Sequence, residues 1–145
     1  MRNFGIILMS HGKYAIEALN SAQMICGEIE GIKALGLDMN ESKDQLKEKF
    51  DNAFNDLSNK YENVLCICDI YGGTPFNVVS EALLNGKNFI SYTGLNLSMI
   101  IELAFCDEMN EEEIRNTIEN VYTSSFIDVN EVIDIENNED DDFDL

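Results

Sequence analysis

Histidine occurs once in this sequence, at a position that suits chemistry. His11 closely follows the apolar run of residues 4–9 and directly precedes Gly12. If that run is a buried strand, its carboxyl end lies at the sheet edge where open α/β folds bind their ligands. An imidazole at that edge can act as a nucleophile or a general base. Position alone equally allows a structural histidine that hydrogen-bonds to a backbone group.

Asp69 stands in the same relation to a second apolar run, residues 64–68. If the two strands are neighbours, His11 and Asp69 lie at equivalent strand ends about 5 Å apart. A carboxylate within reach accepts a hydrogen bond from one imidazole nitrogen and leaves the lone pair of the other oriented for attack. We therefore predict that His11 is the nucleophile and that Asp69 orients it. The alternative is that Asp69 only caps a turn or a helix.

A glycine pair follows the aspartate. Gly72 and Gly73 precede Thr74 and Pro75, which suit the N-cap and the first position of a helix. Glycines let backbone amides approach a ligand closely, and a helix N-terminus offers free N–H groups to an anion. The pattern predicts that Gly72, Gly73 and Thr74 bind a phosphoryl group. An ordinary turn into a helix would use the same residues without a ligand.

Several other chemistries lack their motifs. The sequence contains neither a Gly-x₄-Gly-Lys-Ser/Thr loop nor a Gly-x-Ser-x-Gly elbow, which disfavours a nucleotide kinase and a serine hydrolase. No carboxylate pair in the loops that follow the strands suggests glycoside hydrolysis. A phosphoryl group would therefore arrive already activated on another carrier.

The four cysteines lack the paired Cys-x-x-Cys spacing of zinc sites. Cys66 and Cys68 alternate along one strand, and we predict that they are reduced, apolar core residues. A metal site formed by these two cysteines and His11 is the alternative. We expect neither a metal nor a cofactor.

Composition indicates one globular domain. The chain has 145 residues, of which 45% are hydrophobic and 26% are charged. Its net charge of −19 disfavours nucleic acid and anionic membrane surfaces as partners. No apolar run reaches the length of about 18 residues that spans a bilayer, so we expect no membrane insertion. The start of the chain lacks the features of a signal peptide, and we expect a cytoplasmic protein.

The end of the chain is strongly acidic. Residues 136–145 contain six Asp or Glu residues and no Lys or Arg, a composition typical of a disordered tail. We place the domain at residues 1–135 and the tail at residues 136–145. A docking segment for a basic partner is the alternative.

Segments with strand and helix patterns alternate along the chain. Strands are predicted at residues 4–9, 32–37, 64–68, 89–93 and 126–129, the last extending to 135. Helices are predicted at residues 15–26, 46–57, 74–84, 97–105 and 110–124. This alternation predicts an α/β fold, a doubly wound and mostly parallel sheet with helices on both faces. The loops at residues 10–12, 69–77 and 94–96 should then meet at one edge.

Four segments resemble the mannose-family EIIA component of the bacterial phosphoenolpyruvate-dependent sugar phosphotransferase system (PTS). They are residues 10–12, 21–28, 69–77 and 94–99. The last is similar to the family's Gly-x-Asn-Leu-Pro-Met segment, with Ser98 in place of the proline. The similarity runs from residue 4 to about residue 102.

The resemblance implies a phosphocarrier in sugar uptake. Phospho-HPr would donate to Nε2 of His11, and the group would pass to an EIIB component and then to sugar crossing the EIIC/EIID membrane complex. Asp69 matches the family's histidine-orienting aspartate, and Thr74 matches a hydroxyl residue near the phosphoryl group. The family forms homodimers by exchange of a C-terminal edge strand, here residues 126–135. The alternative is a regulatory phosphohistidine module that senses HPr phosphorylation without a role in transport.

Overall fold

The computed structural model describes the backbone of residues 1–143 and the side chains of residues 1–138. The described residues form a four-stranded sheet and six helices. The strands are β1 (Phe4–His11), β2 (Ile32–Leu37), β3 (Asn63–Cys68) and β4 (Ile90–Thr93). The helices are α1 (Tyr14–Cys26), α2 (Lys43–Ser58), α3 (Gly73–Leu84), α4 (Leu97–Ala104), α5 (Glu111–Ser125) and α6 (Val129–Phe143).

The strand order places β1 in the interior of the sheet. The order is β2-β1-β3-β4, and every pair is parallel. The chain therefore leaves β1 in one direction to form β2 and crosses back to form β3 on the other side. Such a switch opens a crevice between the carboxyl ends of the two strands, here β1 and β3. The predicted α/β fold is confirmed, and so is the predicted adjacency of these strands.

Helices cover both faces of the sheet, as predicted. Ile6 and Leu8 of β1 point into a core cluster with α1, α4 and α5, while Ile7 and Met9 point into a second cluster with α2 and α3. Alternate residues of a strand face opposite sides, so a strand covered on both sides is apolar throughout. This is why the sequence of β1 is a continuous apolar run.

Cys66 and Cys68 lie in the cluster beneath α2 and α3, and both are buried. Burial raises the pKa of the Cys66 thiol well above its usual range, and the neighbouring Cys68 adds to the effect. Two buried thiols packed among apolar side chains behave as small core residues. Their predicted structural role is confirmed.

The start of α2 follows its sequence pattern. Ser42 Oγ accepts a hydrogen bond from Gln45 N at 3.2 Å, and the Gln45 side chain accepts one from Ser42 N at 2.8 Å. This reciprocal capping box fixes the helix start. The sequence places Leu46, Phe50, Ala53, Phe54 and Leu57 on one apolar face of this helix. All are buried except Phe54, which is half-buried.

The predicted fifth strand is wrong for the single chain. Residues 126–128 have no regular structure, and α6 begins at Val129. The Asp128 carboxylate accepts from Asn130 N at 3.0 Å and from Glu131 N at 3.3 Å, so it caps the helix start. A strand needs a neighbouring strand to bond to its backbone N–H and C=O groups, whereas a helix forms its backbone hydrogen bonds within itself. The apolar side chains of this segment are exposed, and they are Phe126, Ile127, Val129, Val132, Ile133 and Ile135.

The helix α6 continues into the acidic end of the chain. Its backbone is helical through Phe143, and no α6 side chain through residue 138 belongs to either core cluster. The side chains from residue 139 and the backbone of residues 144 and 145 lie outside the described residues. The domain boundary at residue 135 and the disordered tail therefore stay predictions.

No helix within the described residues combines the length and the apolar composition needed to cross a bilayer. Each is interrupted by polar or charged positions, as the amphipathic α2 illustrates. The helices instead use their apolar faces to cover the sheet.

Candidate active site

His11 and Asp69 meet at the carboxyl ends of β1 and β3. His11 Nδ1 lies 2.8 Å from Asp69 Oδ2, and the backbone N–H of His11 donates to the same oxygen at 2.9 Å. An ionised carboxylate can only accept hydrogen bonds, so this contact places the ring proton on Nδ1. Nε2 then carries the lone pair. The structure thus brings together the two residues that the sequence singled out.

Hydrogen bonds fix both the backbone and the carboxylate of Asp69. Asp69 N donates to Met9 O at 2.9 Å, and Gly94 N donates to Asp69 O at 3.3 Å, so the backbone is bonded to both neighbouring strands or their extensions. The second carboxylate oxygen accepts from Ile70 N at 2.9 Å. The Asp69 side chain is 12% exposed, whereas that of His11 is 47% exposed. A fixed carboxylate therefore orients an imidazole that an incoming group can reach.

Of the two glycines, Gly73 lies directly against the free nitrogen. A Cβ atom on Gly73 would stand 3.1 Å from His11 Nε2 and 3.0 Å from Cε1. Both Gly72 and Gly73 have φ of +84°, a backbone conformation that L side chains rarely adopt. Position 73 therefore requires glycine for two reasons. Its φ is unfavourable for other residues, and a side chain there would crowd the His11 ring.

The start of α3 differs from the prediction in one detail. The helix begins at Gly73 with Gly72 as its N-cap, so Thr74 and Pro75 are its second and third residues and Thr74 is not the cap. In the described part of the chain no side chain caps this helix start. The helix therefore begins two residues earlier than threonine capping would place it, with both glycines at positive φ.

That start leaves amide groups available to a ligand. The first four N–H groups of a helix have no acceptor inside it, and the fourth here belongs to Pro75, which has no N–H. The remaining three belong to Gly72, Gly73 and Thr74, the residues predicted to bind a phosphoryl group. Three donors at the positive end of a helix dipole suit an anion held beside Nε2.

The loop after β4 completes the edge of the site, as predicted. Leu95 N donates to Cys68 O at 3.0 Å, which extends the pairing of β3 and β4 beyond Thr93. Asn96 Oδ1 accepts from Met99 N at 3.0 Å and caps α4. The three loops expected to meet therefore do meet.

Large side chains close in sequence to His11 and Asp69 are exposed. They are Tyr14, Ile70 and Tyr71. The Tyr71 ring packs on the half-buried Phe76, with ring centroids 4.7 Å apart.

Two residues that the sequence did not single out shape the turn after His11. Ser10 is fully buried, and its Oγ accepts from Ala15 N at 2.7 Å at the start of α1. A Cβ atom on Gly36 of β2 would collide with the carbonyl oxygen of Gly12. A serine that ends a strand before a helix is a weak signal for such a cap. Nothing in the sequence near Gly36 indicates its contact, because the contact depends on strand pairing.

Metal binding finds no support in the geometry. Among the described side chains, no group of three or more His, Cys, Asp or Glu residues is arranged to hold a metal ion. The alternative site required Cys66 and Cys68 beside His11. Both cysteines are instead buried in the core cluster beneath α2 and α3.

Comparison with known sequences gives a consistent family. A family model described as PTS system fructose IIA component (EIIA-man) matches residues 5–122. The chain is 28% identical over 122 residues to the PTS system fructose-specific EIIA component of Bacillus subtilis, an alignment covering 83% of each protein. It is 29% identical over 97 residues to the PTS system mannose-specific EIIAB component of Escherichia coli, covering 67% of this chain and 30% of that protein.

Solved structures agree with the sequence comparisons. The PTS IIA protein associated with the fucose utilization operon of Streptococcus pneumoniae superposes with a TM-score of 0.78 at 30% identity, covering 90% of this chain and 96% of that one. A mannose/sorbose specific IIA subunit from Enterococcus faecalis gives a TM-score of 0.74 at 29% identity, covering 86% and 93%.

The tautomer of His11 tests the role of Asp69. In the wild-type protein the Nδ1–H form should predominate by at least about tenfold, since a hydrogen bond to a charged acceptor contributes about 1.5–3 kcal/mol. In Asp69→Asn an NH2 group replaces one of the two carboxylate oxygens, so a hydrogen-bond donor must face either His11 or Ile70. The carboxylate no longer holds the proton on Nδ1, and the fraction of the Nε2–H form should rise. Nitrogen-15 NMR of the neutral imidazole measures this ratio without overlap, because the chain has one histidine.

Asp38→Asn is the matched control, since Asp38 follows β2 at the same edge of the sheet but makes no hydrogen bond to His11. It should leave the ratio unchanged. An unchanged ratio in Asp69→Asn would remove Asp69 from the orientation of the ring.

Proposed function

Because this chain belongs to the EIIA-man family of the sugar phosphotransferase system, whose members act as phosphotransfer proteins, we propose that phospho-HPr donates a phosphoryl group to Nε2 of His11. The group then passes to an EIIB component during sugar uptake. The observation that carries this proposal is the placement of Nε2, which faces Gly73 at the start of α3 while Asp69 holds Nδ1–H. The nucleophile and the anion-binding helix start are in contact.

The chemistry follows from that placement. The Nε2 lone pair attacks the phosphorus, the bond from phosphorus to the donor's phosphohistidine nitrogen breaks, and the electron pair returns to the donor. The Nδ1 proton stays in its hydrogen bond with Asp69, which stabilises the ring as it gains partial positive charge. The N–H groups of Gly72, Gly73 and Thr74 donate hydrogen bonds to the phosphoryl oxygens and so stabilise their negative charge. Transfer to EIIB reverses these steps on a second partner.

The energetic demand on the protein is modest. Transfer between two phosphohistidines is close to thermoneutral, so positioning and charge stabilisation carry the catalysis. The half-exposed imidazole and the exposed Tyr14, Ile70 and Tyr71 around it form a surface on which HPr and EIIB dock in turn. Both partners work on the cytoplasmic side, and the EIIC/EIID membrane complex receives the group indirectly from EIIB.

We further propose that the protein is a homodimer. The outer edge of β4 has no strand partner among the described residues, and an unpaired edge invites a strand from another chain. Residues 126–135 carry apolar side chains in the alternation of a half-buried strand, at Ile127, Val129, Ile133 and Ile135. Exchange of this segment between two copies would cover both the open edge and these exposed side chains.

Phosphorylation of His11 tests the main proposal. Incubation with phosphoenolpyruvate, enzyme I and HPr should give one phosphoryl group per chain, labile in acid and stable in alkali, and His11→Ala should abolish it. Intact-mass spectrometry measures the adduct. Adding an EIIB component of the same family of sugar systems should then discharge it. A stable adduct that no EIIB accepts would favour the regulatory alternative, and an unphosphorylated wild-type protein would contradict both.

The two glycines before α3 provide a matched pair of variants. Gly72→Ala and Gly73→Ala both place an L side chain at φ of +84°, with a strain of order 1–3 kcal/mol. Only the Gly73 side chain would meet His11, since a Cβ on Gly72 has no atom within 4 Å. The initial rate of phosphorylation should therefore be about a hundredfold lower in Gly73→Ala than in Gly72→Ala. Equal rates would show that the approach of Gly73 to Nε2 has no part in transfer.

Sedimentation tests the dimer. Wild-type protein should sediment at twice the chain mass of 16.4 kDa. The double variant Ile133→Asp/Ile135→Asp should shift it to the monomer, because charges cannot be buried in an exchanged strand without a large cost. Asn130→Asp/Asn137→Asp adds the same charge at exposed polar positions and should leave the dimer intact. A monomeric wild-type protein at high micromolar concentration would contradict the proposal.

A further inference from the structure

One side chain of the proposed docking surface also makes a specific hydrogen bond through its hydroxyl, which the steps above do not use. Tyr14 is the first residue of α1, three positions after His11. Its hydroxyl donates a hydrogen bond to Leu95 O at 2.9 Å. The bond joins the loop after β1 to the loop after β4, which are otherwise separated by the end of β3.

Leu95 belongs to the segment that restrains the backbone of Asp69. Gly94 N donates to Asp69 O at 3.3 Å, and Leu95 N donates to Cys68 O at 3.0 Å. Any displacement of this short segment therefore acts on the residue that holds the imidazole. Asp69 is fixed toward β1 by its bond to Met9 O, and toward β4 by Gly94 alone.

The loop after β4 has room to move in one direction. It lines an open cavity of about 510 Å³, together with Tyr122 and Phe126. The Leu95 side chain is buried in the core, but the part of the loop that faces the cavity has no packing against it there. The Tyr14 hydroxyl restrains the loop backbone through the Leu95 carbonyl.

These contacts close a ring of bonds around the site. His11 bonds to the Asp69 side chain, the Asp69 backbone bonds to Gly94, and Leu95 bonds to Tyr14, which the chain connects back to His11. We propose that Tyr14 is a positioning residue for the His11–Asp69 pair, acting through the Gly94–Leu95 segment. The proposal rests on the proposed function for its effect on transfer, but the effect on the imidazole does not depend on it.

Loss of the hydroxyl has a defined consequence. Without the bond to Leu95 O, the Gly94–Leu95 segment shifts toward the cavity, and the hydrogen bond from Gly94 N to Asp69 O breaks. The carboxylate then samples orientations in which Oδ2 no longer reaches Nδ1. The Nε2–H tautomer becomes more populated, and in that form the attacking lone pair is absent from Nε2.

Tyr14→Phe tests the proposal, because it keeps the ring and removes only the hydroxyl. The rate of phosphorylation by phospho-HPr should fall by about three- to tenfold, the effect of losing one neutral hydrogen bond. The Nε2–H fraction of His11 should rise in nitrogen-15 spectra, and the Gly94 amide should exchange its hydrogen faster. Tyr92→Phe is the matched control, since the Tyr92 hydroxyl bonds to Glu119 on α5 at 3.3 Å. It should change none of the three measurements.

Two results would overturn the proposal. An unchanged tautomer ratio with an unchanged rate would mean that the hydroxyl positions nothing. A slower rate with an unchanged ratio would mean that the hydroxyl contacts the incoming partner instead. The tautomer and the amide exchange are measured on the protein alone. They therefore decide the role of Tyr14 even if the chain takes no phosphoryl group and the proposed function fails.

Discussion

One carboxylate oxygen determines how this site is built. Asp69 Oδ2 accepts from both the backbone N–H and the ring Nδ1 of His11, at 2.9 Å and 2.8 Å. The two bonds fix where the histidine backbone leaves β1 and which way its ring faces. They also decide the tautomer, since the carboxylate has no proton to give. A ring held in this way presents its free nitrogen in one direction, toward the start of α3.

The fold serves that contact by holding the carboxylate rigid and leaving the imidazole accessible. Asp69 extends β3 between bonds to β1 and to the loop after β4, while His11 lies two residues beyond the last paired position of β1 with β3. The crossing of the chain from one side of β1 to the other creates the crevice between them. Close approach at this edge requires glycine at two places, Gly36 against the turn after His11 and Gly73 against the ring itself.

The C-terminal segment shows where local sequence stops being informative. Residues 126–135 have the apolar alternation of a strand, yet they contain an aspartate at the position that caps a helix. In the single chain no strand lies beside them, so from Val129 their backbone forms its hydrogen bonds within the helix α6. Pairing with a neighbour is a property of tertiary or quaternary structure. A pattern of side chains alone cannot choose between the two.

The sequence by itself determined the strands and helices up to residue 125, the parallel sheet, and the candidates His11, Asp69 and the glycine pair. It could do so because apolar periodicity, capping residues and strand-end loops are local signals. Only the tertiary structure decided the start of α3 at Gly73, the need for Gly36 and the bond from Tyr14 to Leu95. The need for Gly36 and the bond from Tyr14 each depend on the distance between segments remote in sequence. That distance is set by strand register and helix packing, which no single segment encodes.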